Sequence, residues 1–263
     1  MSPALSGARA VLLDLEGTMC VAGRPVPGGS EALAALDRRG IPWRFVTNTT
    51  SRPRRVLVSE LSAMGLPADP DRIFTAPRAA RDLLLARGWT RACLLVRPAI
   101  LEDFPGIQPD EESPQVVVLG DLGEETTFAR LNRAFRHLLG GAEFVTLARN
   151  RYYRGPDGLT LDQGPFAAAL EFASGRSALL AGKPSPAFFA AALASLSIDP
   201  SEALVVGDDL EGDVGGGQAA GMRGVLVRTG KFRQEELARS PVAPDAVIDS
   251  VAQLPELLEA PAR

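Results

Sequence analysis

Three acids near residue 210 form the most specific chemical motif in this sequence. The segment Leu204–Asp213 ends an apolar run with the adjacent pair Asp208 and Asp209, and Asp213 follows shortly after. Bringing several carboxylates together costs free energy unless a cation neutralises them. Carboxylate oxygens are the hard ligands that Mg²⁺ prefers. The pattern therefore predicts a magnesium site.

A second acid follows an apolar run near the N-terminus. Asp14 comes directly after Ala10–Leu13 and is followed by Glu16, Gly17 and Thr18. A carboxylate on such a turn can attack phosphorus and carry the phosphoryl group as an aspartyl phosphate. Many strands end in aspartate for structural reasons alone, so Asp14 gains weight only from the other segments.

Two further segments offer hydrogen-bond donors to a phosphate. Thr47 and Asn48 follow the apolar run that ends at residue 46, and they precede Pro53 by too many residues to cap the helix expected there. Lys183 precedes Pro184, so its ammonium extends from a stiff turn. These groups can hold phosphoryl oxygens while charge redistributes during phosphoryl transfer.

The elements that must position these residues are short strands alternating with helices. Apolar runs predict buried parallel strands at Ala10–Leu13, Trp43–Val46, Ala92–Val96, Val116–Leu119, Phe144–Leu147, Ala178–Leu180, Ala203–Val206 and Gly224–Val227. Helical spacing predicts Gly29–Arg39, Pro53–Met64, Pro77–Arg87, Phe128–Leu139, Pro165–Phe172, Pro186–Leu196 and Val214–Ala220. This alternation predicts α/β units, whose ligands bind beyond the carboxyl ends of the strands. The proline-rich stretch Phe104–Pro114 is expected to be an exposed connection.

Composition excludes several classes of function. The net charge of −4 argues against a nucleic-acid partner, and no apolar run is long enough for a membrane helix. The N-terminus lacks the pattern of a signal peptide, and Cys20 and Cys93 form no disulfide framework, so we expect a cytoplasmic protein. His137 is the single histidine and has helical spacing, which disfavours Ser-His-Asp, Cys-His and poly-His chemistry.

Four motifs in this order resemble the haloacid dehalogenase (HAD) superfamily. They are Asp14–Thr18, Val46–Thr50, Gly182–Pro184 and Gly207–Asp213, and Thr229–Lys231 extends the match. The long interval between Thr47 and Lys183 resembles the C2-type cap of the NagD-like branch, subfamily IIA. The resemblance implies an α/β fold with a Rossmann-like parallel-sheet core, residues 1–76 and 179–263, and an inserted α/β C2-type cap, residues 77–178.

The resemblance also implies residue roles and Mg²⁺ as the cofactor. Asp14 would be nucleophile and metal ligand, residue 16 would bind the metal through its backbone carbonyl, and Asp208 would be the second carboxylate ligand. Asp213 would act on the metal through water, and Asp209 would support the loop. Thr47, Asn48 and Lys183 would bind the phosphate.

Glu16 departs from the family pattern, which places aspartate two residues after the nucleophile as general acid and base. Glutamate keeps the acid but moves the carboxyl group by about 1.5 Å. Either the Glu16 side chain performs the proton transfers, or only the backbone of this residue contributes to the site. In the cap, the loop Arg149–Tyr152 either contacts an anionic substrate, through Arg151 in particular, or is a solvated turn.

The expected function is Mg²⁺-dependent hydrolysis of a small phosphorylated compound. The bond cleaved would belong to a phosphate ester, a phosphoamide or a pyrophosphate. Alternatives are phosphotransfer to another acceptor and a phospho-ligand-binding regulatory protein in which Glu16 attenuates catalysis. The expected partner is the small phosphorylated substrate, with no nucleic acid and no membrane, and a homodimer through the cap stays open.

Overall fold

The computed structural model describes residue 5 and residues 7–155, 157–194 and 196–259. The chain divides into two compact units. The core unit comprises Met1–Thr47, Arg55–Phe74 and Lys183–Arg263, and the inserted unit comprises Asn48–Arg54 and Thr75–Gly182. These limits differ by a few residues from the expected ones and assign Asn48–Arg54 to the inserted unit. The domain limits drawn from the sequence stay a prediction.

The secondary structure alternates as an α/β fold requires. The strands are β1 (Ala10–Asp14), β2 (Cys20–Val21), β3 (Arg24–Pro25), β4 (Trp43–Thr47), β5 (Ile73–Thr75), β6 (Arg91–Leu95), β7 (Gln108–Pro109), β8 (Val116–Leu119), β9 (Glu143–Thr146), β10 (Tyr152–Gly155), β11 (Gly158–Leu161), β12 (Leu179–Leu180), β13 (Ala203–Gly207), β14 (Arg223–Val227) and β15 (Ala246–Ile248). The helices are α1 (Gly29–Arg38), α2 (Arg54–Ala63), α3 (Ala76–Ala86), α4 (Phe128–Leu139), α5 (Gln163–Ser174), α6 (Pro186–Ala194), α7 (Gly216–Ala219), α8 (Gln234–Arg239) and α9 (Leu254–Glu259). The predicted α/β class is confirmed.

The core unit is built on a six-stranded sheet with the order β15-β14-β13-β1-β4-β5. Strand β1 lies between β13 and β4 and is parallel to both. Every residue of β1, β4 and β13 is buried. Such strands are continuous apolar runs because helices cover both faces of a parallel sheet.

The inserted unit has its own five-stranded sheet with the order β12-β9-β8-β6-β7, and these neighbouring strands are parallel. Alternate residues of one strand pack into different apolar clusters. On β6, Ala92 and Leu94 join one cluster, whereas Cys93 and Leu95 join the other. Both faces of this sheet are therefore covered, which explains why its strands also appear as continuous apolar runs.

Two short hairpins are absent from the expectations drawn from the sequence. Strands β2 and β3 pair antiparallel in the core unit, and β10 and β11 pair antiparallel in the inserted unit. Each strand has only two to four residues, which is too short for an alternating pattern to stand out. Within the described part of the chain, no helix combines the length and the apolar character needed to span a bilayer.

Candidate active site

The predicted strand-end residues of the core unit lie side by side. In the pairing of β1 with β4, Asp14 is level with Val46. Thr47 is the last residue of β4, and Asp208 follows the last residue of β13, which pairs with the other side of β1. Because the three strands are parallel neighbours, their carboxyl ends meet at one edge of the sheet.

Lys183 joins two carboxylates at this edge. Its Nζ donates to Asp14 Oδ1 at 2.5 Å, to Asp213 Oδ1 at 2.6 Å and to the carbonyl of Val46 at 3.4 Å. All three charged side chains are buried. Burial alone would lower the pKa of the Lys183 ammonium, but Asp14 and Asp213 raise it, so the lysine stays charged.

For the carboxylates, burial decides the direction of the pKa shift. Burial raises the pKa of Asp14 and raises the pKa of Asp213 to about 7, although Lys183 lowers both. Burial also raises the pKa of Asp208 to about 6. One lysine therefore does not fully compensate for moving these three acids out of water.

The loop after β14 positions the Asp208 carboxylate through a hydrogen bond, and two glycines leave room for it. Its Oδ2 accepts the backbone N–H of Lys231 at 2.7 Å. A Cβ atom at Gly17 would lie 2.0 Å from the same oxygen, and a Cβ at Gly230 would lie 2.1 Å from it. Both glycines have positive φ, +95° and +63°. Only glycine satisfies both the close approach and the left-handed backbone at these positions.

A π-helical turn, Leu210–Gly215, returns Asp213 to the site. Asp209 starts this turn, because its Oδ1 accepts the N–H of Gly212 at 2.8 Å and its own N–H donates to Asp213 Oδ2 at 3.2 Å. Lys231 Nζ donates to Asp209 Oδ2 at 2.9 Å. Although burial opposes the shift, this ammonium lowers the pKa of Asp209, which therefore stays ionised.

The donor set suits a hard divalent cation. Asp14, Asp208 and Asp213 each offer a carboxylate oxygen, and these oxygens lie within 4.8 Å of one another. The raised pKa values show that the cluster lacks positive charge with Lys183 alone. The residues present therefore fit Mg²⁺, which takes few carboxylates and keeps several waters.

Glu16 is exposed, and its carboxylate contacts the β2–β3 hairpin. Its Oε1 accepts the backbone N–H of Ala22 at 3.0 Å, and the thiol of Cys20 donates weakly to Oε2 at 3.6 Å. Ala22 has a positive φ of +50° at the hairpin turn. The side chain thus has an anchoring contact, which leaves its predicted acid–base role open.

Asn48 and Arg151 belong to the inserted unit. A Cβ at Gly182 would lie 2.5 Å from Asn48 Oδ1, so the backbone approaches this amide closely. Arg151 is exposed beside the β10–β11 hairpin. Its neighbour Arg149 forms an ion pair with Glu171 on α5 at 2.5 Å, which gives that residue a structural partner within the unit. Binding roles for Thr47, Asn48 and Arg151 stay predictions.

The sequence reasoning missed how much the loop after β14 contributes. Lys231 binds Asp208 through its backbone and Asp209 through its side chain. Thr229 Oγ1 donates to the carbonyl of Gly17 at 2.5 Å, which joins the loop after β14 to the loop after β1. The available signal was a Thr-Gly-Lys sequence one residue beyond a predicted strand, where ligand-facing loops are expected.

Comparisons with known proteins agree with this fold. A family described as haloacid dehalogenase-like hydrolase matches residues 11–105, and a related HAD-hydrolase-like family matches residues 180–254. The chain is 42% identical over 242 residues to haloacid dehalogenase-like hydrolase domain-containing protein 2 of Bos taurus, covering 92% of each chain. It is 37% identical to human phospholysine phosphohistidine inorganic pyrophosphate phosphatase, covering 97% of this chain and 95% of that one.

Solved structures give the same result. A 4-nitrophenylphosphatase from Thermotoga maritima has a TM-score of 0.91 at 30% identity, covering 97% of this chain and 99% of that one. NagD from E. coli K-12 has a TM-score of 0.87 at 25% identity, with 96% and 98% covered. The chain belongs to the haloacid dehalogenase-like hydrolase family. Within that family it is a phosphatase of the NagD-like branch.

Proposed function

We propose that this protein hydrolyses a small phosphorylated compound through an aspartyl phosphate formed on Asp14, with Mg²⁺ as its cofactor. The observation that supports this proposal is the buried cluster of Asp14, Asp208, Asp213 and Lys183 at the carboxyl edge of the core sheet. A nucleophilic carboxylate, a cation site and a fixed ammonium are the groups that phosphoryl transfer requires.

In the proposed reaction, a carboxylate oxygen of Asp14 attacks phosphorus. The new O–P bond forms as the bond between phosphorus and the leaving group breaks, and the leaving group departs with the bonding electrons and takes up a proton. Lys183, Thr47 and Asn48 hold phosphoryl oxygens. A water then attacks the phosphorus of the aspartyl phosphate, which releases inorganic phosphate and regenerates Asp14. When bound, Mg²⁺ offsets the charge between the carboxylates and the phosphate.

The expected substrates are phosphate esters, with phosphoamides and pyrophosphate as further members of the class. One relative carries phospholysine, phosphohistidine and inorganic pyrophosphate in its name, and one structural neighbour is a 4-nitrophenylphosphatase. These names support a panel of assay substrates that includes 4-nitrophenyl phosphate, an alkyl phosphate, a phosphoamide and pyrophosphate.

Metal dependence is the direct test. We expect phosphate release from members of this panel with Mg²⁺ and loss of release with excess EDTA, because three buried carboxylates would otherwise repel the phosphate. Inorganic phosphate is measured against time, and re-addition of Mg²⁺ must restore the rate. Undiminished turnover in EDTA would contradict the proposal. Phosphorylated product without free phosphate would favour phosphotransfer, and tight binding without turnover would favour the regulatory alternative.

Glu16 is proposed as the general acid that protonates the leaving group and as the base for the attacking water. We expect Glu16→Gln to lower kcat by about 10²–10⁴-fold on an alkyl phosphate, because the amide cannot transfer this proton. The loss should be smaller on 4-nitrophenyl phosphate, whose leaving group needs little protonation.

The matched variant Glu16→Ala separates catalysis from anchoring. Glutamine keeps an oxygen for the Ala22 N–H, whereas alanine loses both functions. Wild-type turnover in Glu16→Gln together with a loss in Glu16→Ala would contradict the acid–base role and leave Glu16 as an anchor of the hairpin.

Three further features belong to the proposal. Arg151 contacts the anionic substrate, supported by its exposure and charge. The protein works in the cytoplasm without a nucleic-acid or membrane partner, in line with its acidic composition. It forms a homodimer through the inserted unit, where Phe172 is 94% exposed and Phe128 is 82% exposed.

A further inference from the structure

A cavity of about 990 Å³ lies in the inserted unit, and the described residues that line it all belong to that unit. Its volume is at the upper end of the range for small-molecule sites, which is roughly 300–1,000 Å³. Its lining includes Leu119, the last residue of β8, and the segments that follow β6 and β8, from Arg97 and from Gly120 onward. None of the proposed catalytic residues lines it.

The position of this cavity in the sheet is the position where parallel sheets bind ligands. The chain leaves β6 towards β7 on one side, whereas it leaves β8 towards β9 on the other side. Because β6 and β8 are parallel neighbours, their connections diverge and leave a crevice beyond their carboxyl ends. Such a switch point is the usual ligand site of open α/β sheets.

A buried amide in the cavity wall has one polar atom that no described residue hydrogen-bonds. Gln163 is only 3% exposed, and its Nε2 donates to Thr50 Oγ1 at 2.7 Å. Its Oε1 has no hydrogen-bond partner among the residues that the structure describes. Leaving a buried acceptor unsatisfied costs free energy, because the group loses its hydrogen bond to water on folding. A ligand that donates an N–H to this oxygen would remove that cost.

The charge of the lining indicates the chemical class of that ligand. Among the lining residues whose side chains the structure describes, five carry a carboxylate and one carries a guanidinium: Asp121, Glu124, Glu125, Asp157 and Asp162 against Arg97. Arg97 is already paired with Asp121 at 2.9 Å, and Glu125 is paired with Arg130, so the excess of negative charge comes from Glu124, Asp157 and Asp162. Asp162 accepts the N–H of Gln163 at 2.7 Å, so a charged acceptor and the unsatisfied amide oxygen are adjacent in the chain. The wall therefore favours a cationic donor.

Apolar groups complete the wall. Leu122 is buried, and Phe166 and Tyr153 contribute aromatic surface beside the acids. Ligand sites commonly combine such surfaces with a few polar groups that fix orientation. We propose that this cavity binds a small organic molecule whose protonated amine donates to Gln163 Oε1 and faces Asp162, while its carbon skeleton packs on the apolar wall. This inference does not depend on the proposed reaction.

A matched pair of probes tests the inference. Tyramine carries an aromatic ring and an ammonium, and tyrosol carries a hydroxyl in place of that ammonium. Binding to the ¹⁵N-labelled full chain is followed by backbone amide shifts. We expect tyramine to shift the amides of Gly120, Gly123 and Gln163 with a dissociation constant of roughly millimolar size, and tyrosol to bind about tenfold more weakly or worse.

Two variants and a control assign the effect to this wall. Asp162→Asn keeps an oxygen for the Gln163 N–H but removes the charge, and Gln163→Met removes the amide at similar volume. Each should weaken tyramine binding by about fivefold or more. Glu143→Gln removes an exposed acid at the start of β9, outside the cavity, and should leave binding unchanged.

The results that overturn the inference are specific. They are equal binding of tyramine and tyrosol, no tyramine-dependent shift at these amides, or wild-type binding by folded Asp162→Asn and Gln163→Met. Phosphatase assays then identify the source of the amine. If KM rises and kcat is unchanged in Asp162→Asn and Gln163→Met, the cavity binds an amine-bearing part of the substrate. If the kinetics of both variants are unchanged, the cavity binds a separate amine ligand.

Discussion

Asp14→Asn should abolish phosphate release, with a loss of about 10³-fold or more in kcat. The substitution keeps the shape of the side chain but removes the nucleophilic oxygen and a carboxylate of the proposed cation site. Because burial raises the pKa of Asp14, the charge is not a stabilising feature of the fold. We therefore expect the variant to remain folded with a Tm close to that of the wild type. Phosphate release and thermal unfolding are measured on the same preparation.

Asp245→Asn is the matched control for this substitution. Asp245 accepts the N–H of Gly224 at 2.7 Å near the amino end of β14, and asparagine can accept the same bond. The control should keep wild-type activity. Full activity in Asp14→Asn, with metal dependence retained, would contradict the assignment of the nucleophile.

Lys183→Met should lower both stability and activity, because it removes the ammonium that joins Asp14 and Asp213. Two buried carboxylates would lose their common partner, which typically costs about 3–5 kcal/mol of the free energy of unfolding. Loss of a phosphoryl-oxygen donor should also lower kcat by about 10²–10³-fold. Denaturant unfolding without added metal measures the first effect, and phosphate release measures the second.

The loss of stability in Lys183→Met should be larger at high pH than at low pH. The folded-state pKa of Asp213 is raised to about 7, above its unfolded value, and it should rise further without Lys183. A carboxyl group with a raised folded-state pKa weakens folding at higher pH, and this penalty is relieved as pH falls through that pKa. The variant should therefore lose more stability at pH 8 than at pH 5.5.

Two comparisons make this prediction sharp. Lys231→Met removes an exposed ammonium paired with Asp209 and should cost about 1 kcal/mol or less. The double variant Lys183→Met/Asp213→Asn should recover stability without recovering activity, because one of the two uncompensated charges is gone. An equal loss in Lys183→Met and Lys231→Met, or a larger loss at pH 5.5, would contradict the electrostatic explanation.

The elements with strong local signals were predictable from the sequence. Strand Val116–Leu119 and helix Phe128–Leu139 have the predicted bounds. The helix begins after Thr127, whose side chain accepts the N–H of Arg130 at 3.3 Å, and Gly140 follows its last residue. Apolar periodicity and end signals agree in these elements, so local chemistry was sufficient.

Other elements depended on packing that a local pattern does not show. The stretch Phe104–Pro114, expected to be exposed, contains Phe104 and Ile107, which are buried in an apolar cluster of the inserted unit. Helix α5 was predicted to begin at Pro165 but begins at Gln163, after Asp162. Proline at the third helical position still needs no intrahelical N–H bond, so it did not mark the first residue.

The sequence by itself determined that Asp14, Thr47 and Asp208 would lie at the ends of parallel strands, because apolar runs and the alternation of strands with helices are local and general signals. Only the tertiary structure decided that these strands are neighbours, that Lys183 lies between Asp14 and Asp213, and that Glu16 turns towards the Ala22 N–H. It also decided that Gln163 Oε1, in the wall of the acidic cavity, has no hydrogen-bond partner among the described residues. These contacts depend on side-chain conformations and on the packing of residues far apart in the chain. The sequence shows which chemical groups are present, whereas the folded structure determines which of these groups contact one another.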